Sequence, residues 1–176
     1  MEKTSQSDRR WFGETVIAAV STGFFFVLIG IIFVINQNLW TKIIDYLKDF
    51  TTVQIAHTSI NVPVPATPAA HTAVYSATFQ FALGIAILQI LILAMRVILG
   101  SRIRRTAETT GNLVFWFGAA YKLNNLSGME STLTHNQQLT VWFQFWAVII
   151  ILIGLSLVSR AAVLIAARYL HKPKSS

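Results

Sequence analysis

Three histidines, His57, His71 and His135, together with Glu130, carry the donor chemistry for a zinc or copper ion. They lack the close spacing of a metal motif, such as two histidines four apart on a helix, so the sequence predicts no bound metal and no other cofactor. Haem or copper held inside a membrane bundle needs imidazoles within apolar helices. No histidine falls inside an apolar run. The chain has no cysteine, which removes thiol nucleophiles, thiolate ligands and disulfides. Phosphate-binding glycine loops, dinucleotide turns, a recognisable Ser, His and Asp grouping and paired carboxylates are also missing. The expectation is a protein that is not an enzyme.

Other residues suggest transport or packing. Glu14 precedes the first apolar run and follows Arg9 and Arg10. In position it resembles the membrane-embedded glutamate of small four-helix multidrug exporters, a likeness of one residue and a helix count. Gln80 and Gln89 lie nine residues apart, which at about 100° per residue puts them on opposite faces of a helix. Each is expected to make an interhelical hydrogen bond, with pore lining as the alternative. Ala19 with Gly23, and Ala82 with Ala86, form small-xxx-small pairs that nominate close helix contacts, with each other or with another chain. Arg102, Arg104 and Arg105, in the turn SRIRR, are suited to fixing topology or touching lipid phosphates.

The elements that must position these residues follow from composition. Of 176 residues, 54% are hydrophobic and 12% charged, against roughly 25% charged in a soluble domain. The apolar residues come in blocks, which points to lipid as solvent. Thr15 to Ile35 is 21 residues without a charge and Ala73 to Met95 is 23. Both suffice for a hydrocarbon core of roughly 30 Å at about 1.5 Å per residue. Val141 to Ser159 opens with the aromatic belt Trp142, Phe143, Phe145 and Trp146 and is closed by Arg160. A fourth segment, 109 to 126, is doubtful because only Thr109 to Tyr121, 13 residues, is uncharged. Its centre, LVFWFGAA, is apolar all round and needs burial on every side.

Charge bias tests that segment. If all four runs cross, eleven Lys and Arg residues lie on one side and three on the other; if the short one does not, each side holds seven. Retained loops collect Lys and Arg, so four crossings are expected, with both termini cytosolic and a re-entrant third segment as the rival. The net charge of +7 then lies wholly on the inner face. It reads as orientation in a membrane and not as a nucleic-acid surface.

Between the first two runs, residues 38 to 50 (NLWTKIIDYLKDF) place their apolar side chains in one sector of roughly 160°, an amphipathic helix at the membrane boundary. Residues 51 to 72 contain Pro63, Pro65 and Pro68, and Val62 to Pro68 is expected to be a stiff polyproline-like arm. The whole, 1 to 176, is read as a single polytopic all-α domain in the cell membrane: a four-helix bundle with an interfacial helix in the first extracytosolic loop. Its expected role is that of a non-catalytic subunit whose partners are lipid and other membrane subunits or copies of itself. A small oligomeric transporter or channel is the alternative.

Overall fold

The computed structural model describes the backbone of residues 2–54 and 59–170 and the side chains of 13–54 and 59–169. Four long helices dominate: α1 (Glu2–Ile35), α3 (Thr72–Ile98), α4 (Ile103–Ser127) and α5 (His135–Leu170). A short helix, α2 (Leu39–Lys48), and a two-stranded hairpin, β1 (Phe50–Gln54) with β2 (Asn61–Pro65), lie between α1 and α3. A 3₁₀ turn, Pro68–His71, leads into α3.

Three segments are long and apolar enough to cross a membrane: Gly13–Ile35, Pro68–Ile98 and His135–Tyr169. Their outward surfaces are apolar too, with Phe26 66%, Val34 80% and Ile150 69% exposed. Water would make so continuous an apolar surface costly, and lipid does not. The protein is membrane-embedded.

α4 is unbroken over 25 residues, about 37 Å, and so is longer than the segment 109 to 126. Its first ten residues, IRRTAETTGN, are mostly polar, which is why its length is not apparent from hydropathy. α4 packs against both α3 and α5. On the α3 side, Ala82 is buried with Ala120 and Leu123 beside Trp116. On the α5 side, Gly118 accommodates Leu152, whose methyl a Cβ added there would strike. The turn from α3 to α4 is set by Gly100 at φ +60°, a left-handed position suited to glycine. The Ser101 N–H donates to the Arg96 carbonyl (2.9 Å) and the Gly100 N–H to that of Val97 (3.3 Å), closing the helix in a Schellman arrangement.

Among the described residues, α1 packs chiefly against α3. Ile17 joins Leu88 and Ile92, Ile32 joins Ala77, and Leu28 lies over Gly84. The amphipathic reading of residues 38 to 50 corresponds to α2. Leu39, Ile43 and Tyr46 face the bundle, while Trp40 and Leu47 remain exposed, as a helix bordering lipid requires.

The proline-containing stretch is not a free polyproline arm. It is extended, as the residues before proline dictate, but it pairs antiparallel with Phe50–Gln54 in the register Phe50↔Pro65 to Gln54↔Asn61. The Ala66 N–H donates to the Asp49 carbonyl at 2.8 Å. Continuing that alternation puts Pro63 and Pro65 in non-hydrogen-bonded pairs, where a missing N–H costs nothing. Val64 is fully buried in the cluster of Tyr75, Leu126, Met129, Leu139 and Trp142, so the hairpin caps one end of α3, α4 and α5. The opposite end carries Arg96, Arg102, Arg104 and Arg105.

Candidate functional site

Most polar side chains that meet across elements gather at these two ends. At the hairpin end, three donors converge on one carboxylate oxygen, Asp49 Oδ2. They are the Thr67 N–H at 2.8 Å, the Thr67 hydroxyl at 2.9 Å and His71 Nε2 at 2.8 Å. Burial pushes the Asp49 carboxyl up, but the Thr67 N–H, the His71 ring and the Thr67 hydroxyl outweigh it and hold the group below the usual carboxylate range. Tyr46 stands edge-on to His71 (5.1 Å), to Tyr75 (5.9 Å) and to Trp142 (6.4 Å), a geometry that aromatic quadrupoles favour. Burial raises the Tyr46 hydroxyl above the usual phenol range. The Tyr75 hydroxyl is buried without a hydrogen-bond partner among the described residues. The rings pack against one another and leave the Asp49–His71 pair working as a clasp between the end of α2 and the start of α3.

At the arginine end, Arg96 Nη2 lies 3.8 Å from Glu14 Oε2, with the two side chains 11% and 35% exposed. Arg96 Nη1 donates to the Arg105 carbonyl, which also accepts the Thr109 hydroxyl at 3.0 Å. Arg104 pairs with Glu108 at 3.4 Å on the α4 surface. Deeper in the bundle, Arg160 Nη2 of α5 donates to Asn112 Oδ1 of α4 at 2.7 Å.

No sequence family, curated protein or solved structure matches the chain.

The structure distributes the residues singled out by sequence over separate places. Gln80 accepts a hydrogen bond from Asn36 Nδ2 at 2.8 Å, joining α3 to the end of α1. Gln89 is half-buried and makes no side-chain hydrogen bond among the described residues. Glu14 and Asn36 are 22 positions apart on one nearly continuous helix, about 33 Å, so the two polar contacts bracket the apolar interface of α1 and α3. Ala82 and Ala86 are buried at 0% and 1% exposure. Ala19 and Gly23 are exposed, and nothing lies within 4 Å of a Cβ added at Gly23. The two small pairs therefore do not meet. His71 is engaged with Asp49, His135 is exposed at the start of α5, and His57 lies outside the described residues. Among the described residues no three His, Asp or Glu groups converge. The side chains of Arg102, Arg104 and Arg105 are exposed.

Several contacts escaped the sequence reading. Asp49 looks like one more residue on the polar face of α2, and Thr67 like a loop residue; only the hairpin brings them together. Gly111 and Gly118 carried a usable signal, since seven positions put both on one face of α4, the face that meets α5.

Proposed function

We propose that this chain is a four-crossing membrane protein with both termini and the arginine end in the cytosol, acting as a non-catalytic subunit that associates with copies of itself or with other membrane subunits. The observation that supports association most is the bare face of α1. Ile17, Leu28 and Ile32 bind α3, whereas Ala19, Gly23 and Gly30 lie roughly 165° away around the helix. Nothing approaches within 4 Å of a Cβ added at Gly23 or Gly30. Glycine inside a helix costs up to about 1 kcal/mol relative to alanine, and small residues in membranes favour close helix approach. The commitment of Gln80 to Asn36 and of Glu14 to Arg96 favours packing over the transporter or channel reading.

The cysteine-free sequence supplies the test. Gly23→Cys in native membranes should give a disulfide-linked dimer on mild oxidation, while Ile31→Cys, exposed on the flank of α1, should not. Equal cross-linking at both positions, or at neither, would remove the α1 interface. Four crossings are checked separately with Asn125→Cys, which an impermeant thiol reagent should label only from outside the cell. Labelling only from the cytosolic side would mean that α4 does not cross.

A further inference from the structure

Arg160 is set into the bundle instead of reaching for the surface. α5 continues eight residues beyond it to Arg168, about 12 Å, and α4 runs nine residues from Ile103 to Asn112, about 14 Å. Helical side chains tilt towards their own N-terminus, and α5 begins at the hairpin end, so Arg160 leans further into the bundle. It lies across the backbone of Gly111. A Cβ there would sit 2.5 Å from Arg160 Cγ and Nε and 2.7 Å from the Ser156 carbonyl. The absence of a side chain at Gly111 is what makes room for the guanidinium.

The seat leaves its charge uncompensated. Nη2 donates to the neutral Asn112 amide, and Nε is buried with no acceptor among the described residues. Arg96 has a similar orphan Nε, but it faces Glu14. For Arg160 no carboxylate of the described residues lies within ion-pair distance, and Glu108, one turn along α4, is held by Arg104. A cation at membrane depth is expensive and normally meets an anion. A fork of donors that the Asn112 amide satisfies only in part matches a phosphate better than any neutral group.

α4 also lets phosphate come that far. Its apolar stretch, Leu113 to Tyr121, is nine residues, about 13 Å, and everything from Arg104 to Asn112 apart from Ala107 and Gly111 is polar. A bilayer adapts to a short apolar stretch by thinning locally, which draws the cytosolic headgroups towards Asn112. Arg160 is half-buried, so part of its side chain stays accessible although Nε does not.

We propose that Arg160 and Asn112, with Gly111 as the notch, bind the phosphate of an anionic phospholipid from the cytosolic leaflet between α4 and α5. The inference needs α4 and α5 to lie in the membrane as read above, and it is independent of association through α1.

The test uses the full chain in mild detergent, with phosphatidylglycerol, phosphatidylcholine and inorganic phosphate as probes, read by native mass spectrometry and thermal melting. The wild type should retain phosphatidylglycerol about tenfold better than phosphatidylcholine, the equivalent of one charge-assisted contact. Asn112→Asp places a carboxylate where Arg160 already donates. It should melt no lower than wild type yet lose that preference, and Arg160→Gln should lose it too. An unchanged preference in a folded Asn112→Asp variant overturns the site. Stabilisation of the wild type by inorganic phosphate equal to that by phosphatidylglycerol, absent in Asn112→Asp, overturns the lipid as its source. Labelling of Asn125→Cys and cross-linking of Gly23→Cys in native membranes, before extraction, separate failure of this inference from failure of the membrane reading.

Discussion

The clasp at Asp49 gives the sharpest test of how the hairpin is held. Asp49→Ala removes one acceptor and strands three donors at once: the Thr67 N–H, the Thr67 hydroxyl and His71 Nε2. A hydrogen bond to a charged group is worth about 1.5–3 kcal/mol. The three share one oxygen on a side chain that is 22% exposed, so they are not additive and water recovers part of the loss. About 3 kcal/mol of local stability is the expected cost. The strand ladder and the burial of Val64 are untouched, so the hairpin should open locally while the helices stay folded. Hydrogen exchange at the Ala66 and Thr67 amides should accelerate on the order of a hundredfold at neutral pH, at about 1.4 kcal/mol per tenfold, with the α4 amides unchanged. The acid limb adds a second signature. Because the Asp49 carboxyl is held below its ordinary range, its contribution is complete above about pH 4, the unfolded carboxylate value, and is lost as pH falls through the lower folded-state value. The wild type should lose protection in that window and the variant should have none to lose. Acceleration below about threefold, or the same acid limb in both proteins, would show that Asp49 does not hold the hairpin.

Further outcomes follow from individual contacts. Gly111→Ala, which forces a Cβ against Arg160 and the Ser156 carbonyl, should lower stability in detergent by about 1–3 kcal/mol, while Gly154→Ala, with nothing within 4 Å, should be neutral or stabilising in a melting scan. Tyr75→Phe deletes a buried hydroxyl that has no partner among the described residues and should raise the melting temperature by the equivalent of about 1 kcal/mol; a fall would mean that the hydroxyl is bonded. Gln80→Leu breaks the 2.8 Å contact with Asn36 and should cost about 0.6 kcal/mol, the average for such bonds in membranes, with α1 alone becoming easier to cleave by protease.

The three apolar helices were legible because a bilayer demands one simple property, about 20 apolar residues in a row. α2 was legible for a similar reason, its alternation of Leu39, Ile43 and Tyr46 with Lys42, Asp45 and Lys48 being local. The length of α4 was not, since Arg104 to Asn112 gains its place in a helix from α3 and α5 and not from hydropathy. The hairpin was half visible. Extension of Val62 to Pro65 follows from the prolines, but its partner strand, FTTVQ, is too short and polar to announce itself. The Asp49 and Arg160 contacts join residues 18 and 48 positions apart in sequence, and no local spacing records them. The small pair Ala19 and Gly23 illustrates the limit: sequence identifies a helix face able to meet another, and only the fold tells that α3 occupies the opposite one.

The polar start of α4 bears on how the protein is made. α1 can enter a bilayer by itself, for its apolar run is long and uncharged and it waits for α3 with nothing but lipid around it. α4 has no such independence. With Arg104, Arg105, Glu108 and Asn112 in its leading half, it would be expelled from lipid unless α3 and α5 already flank it. On the four-crossing reading, α4 therefore inserts as part of a three-helix unit once α5 has emerged. A nascent chain cut short before residue 135 should leave α4 outside the bilayer, although every residue of α4 has been synthesised.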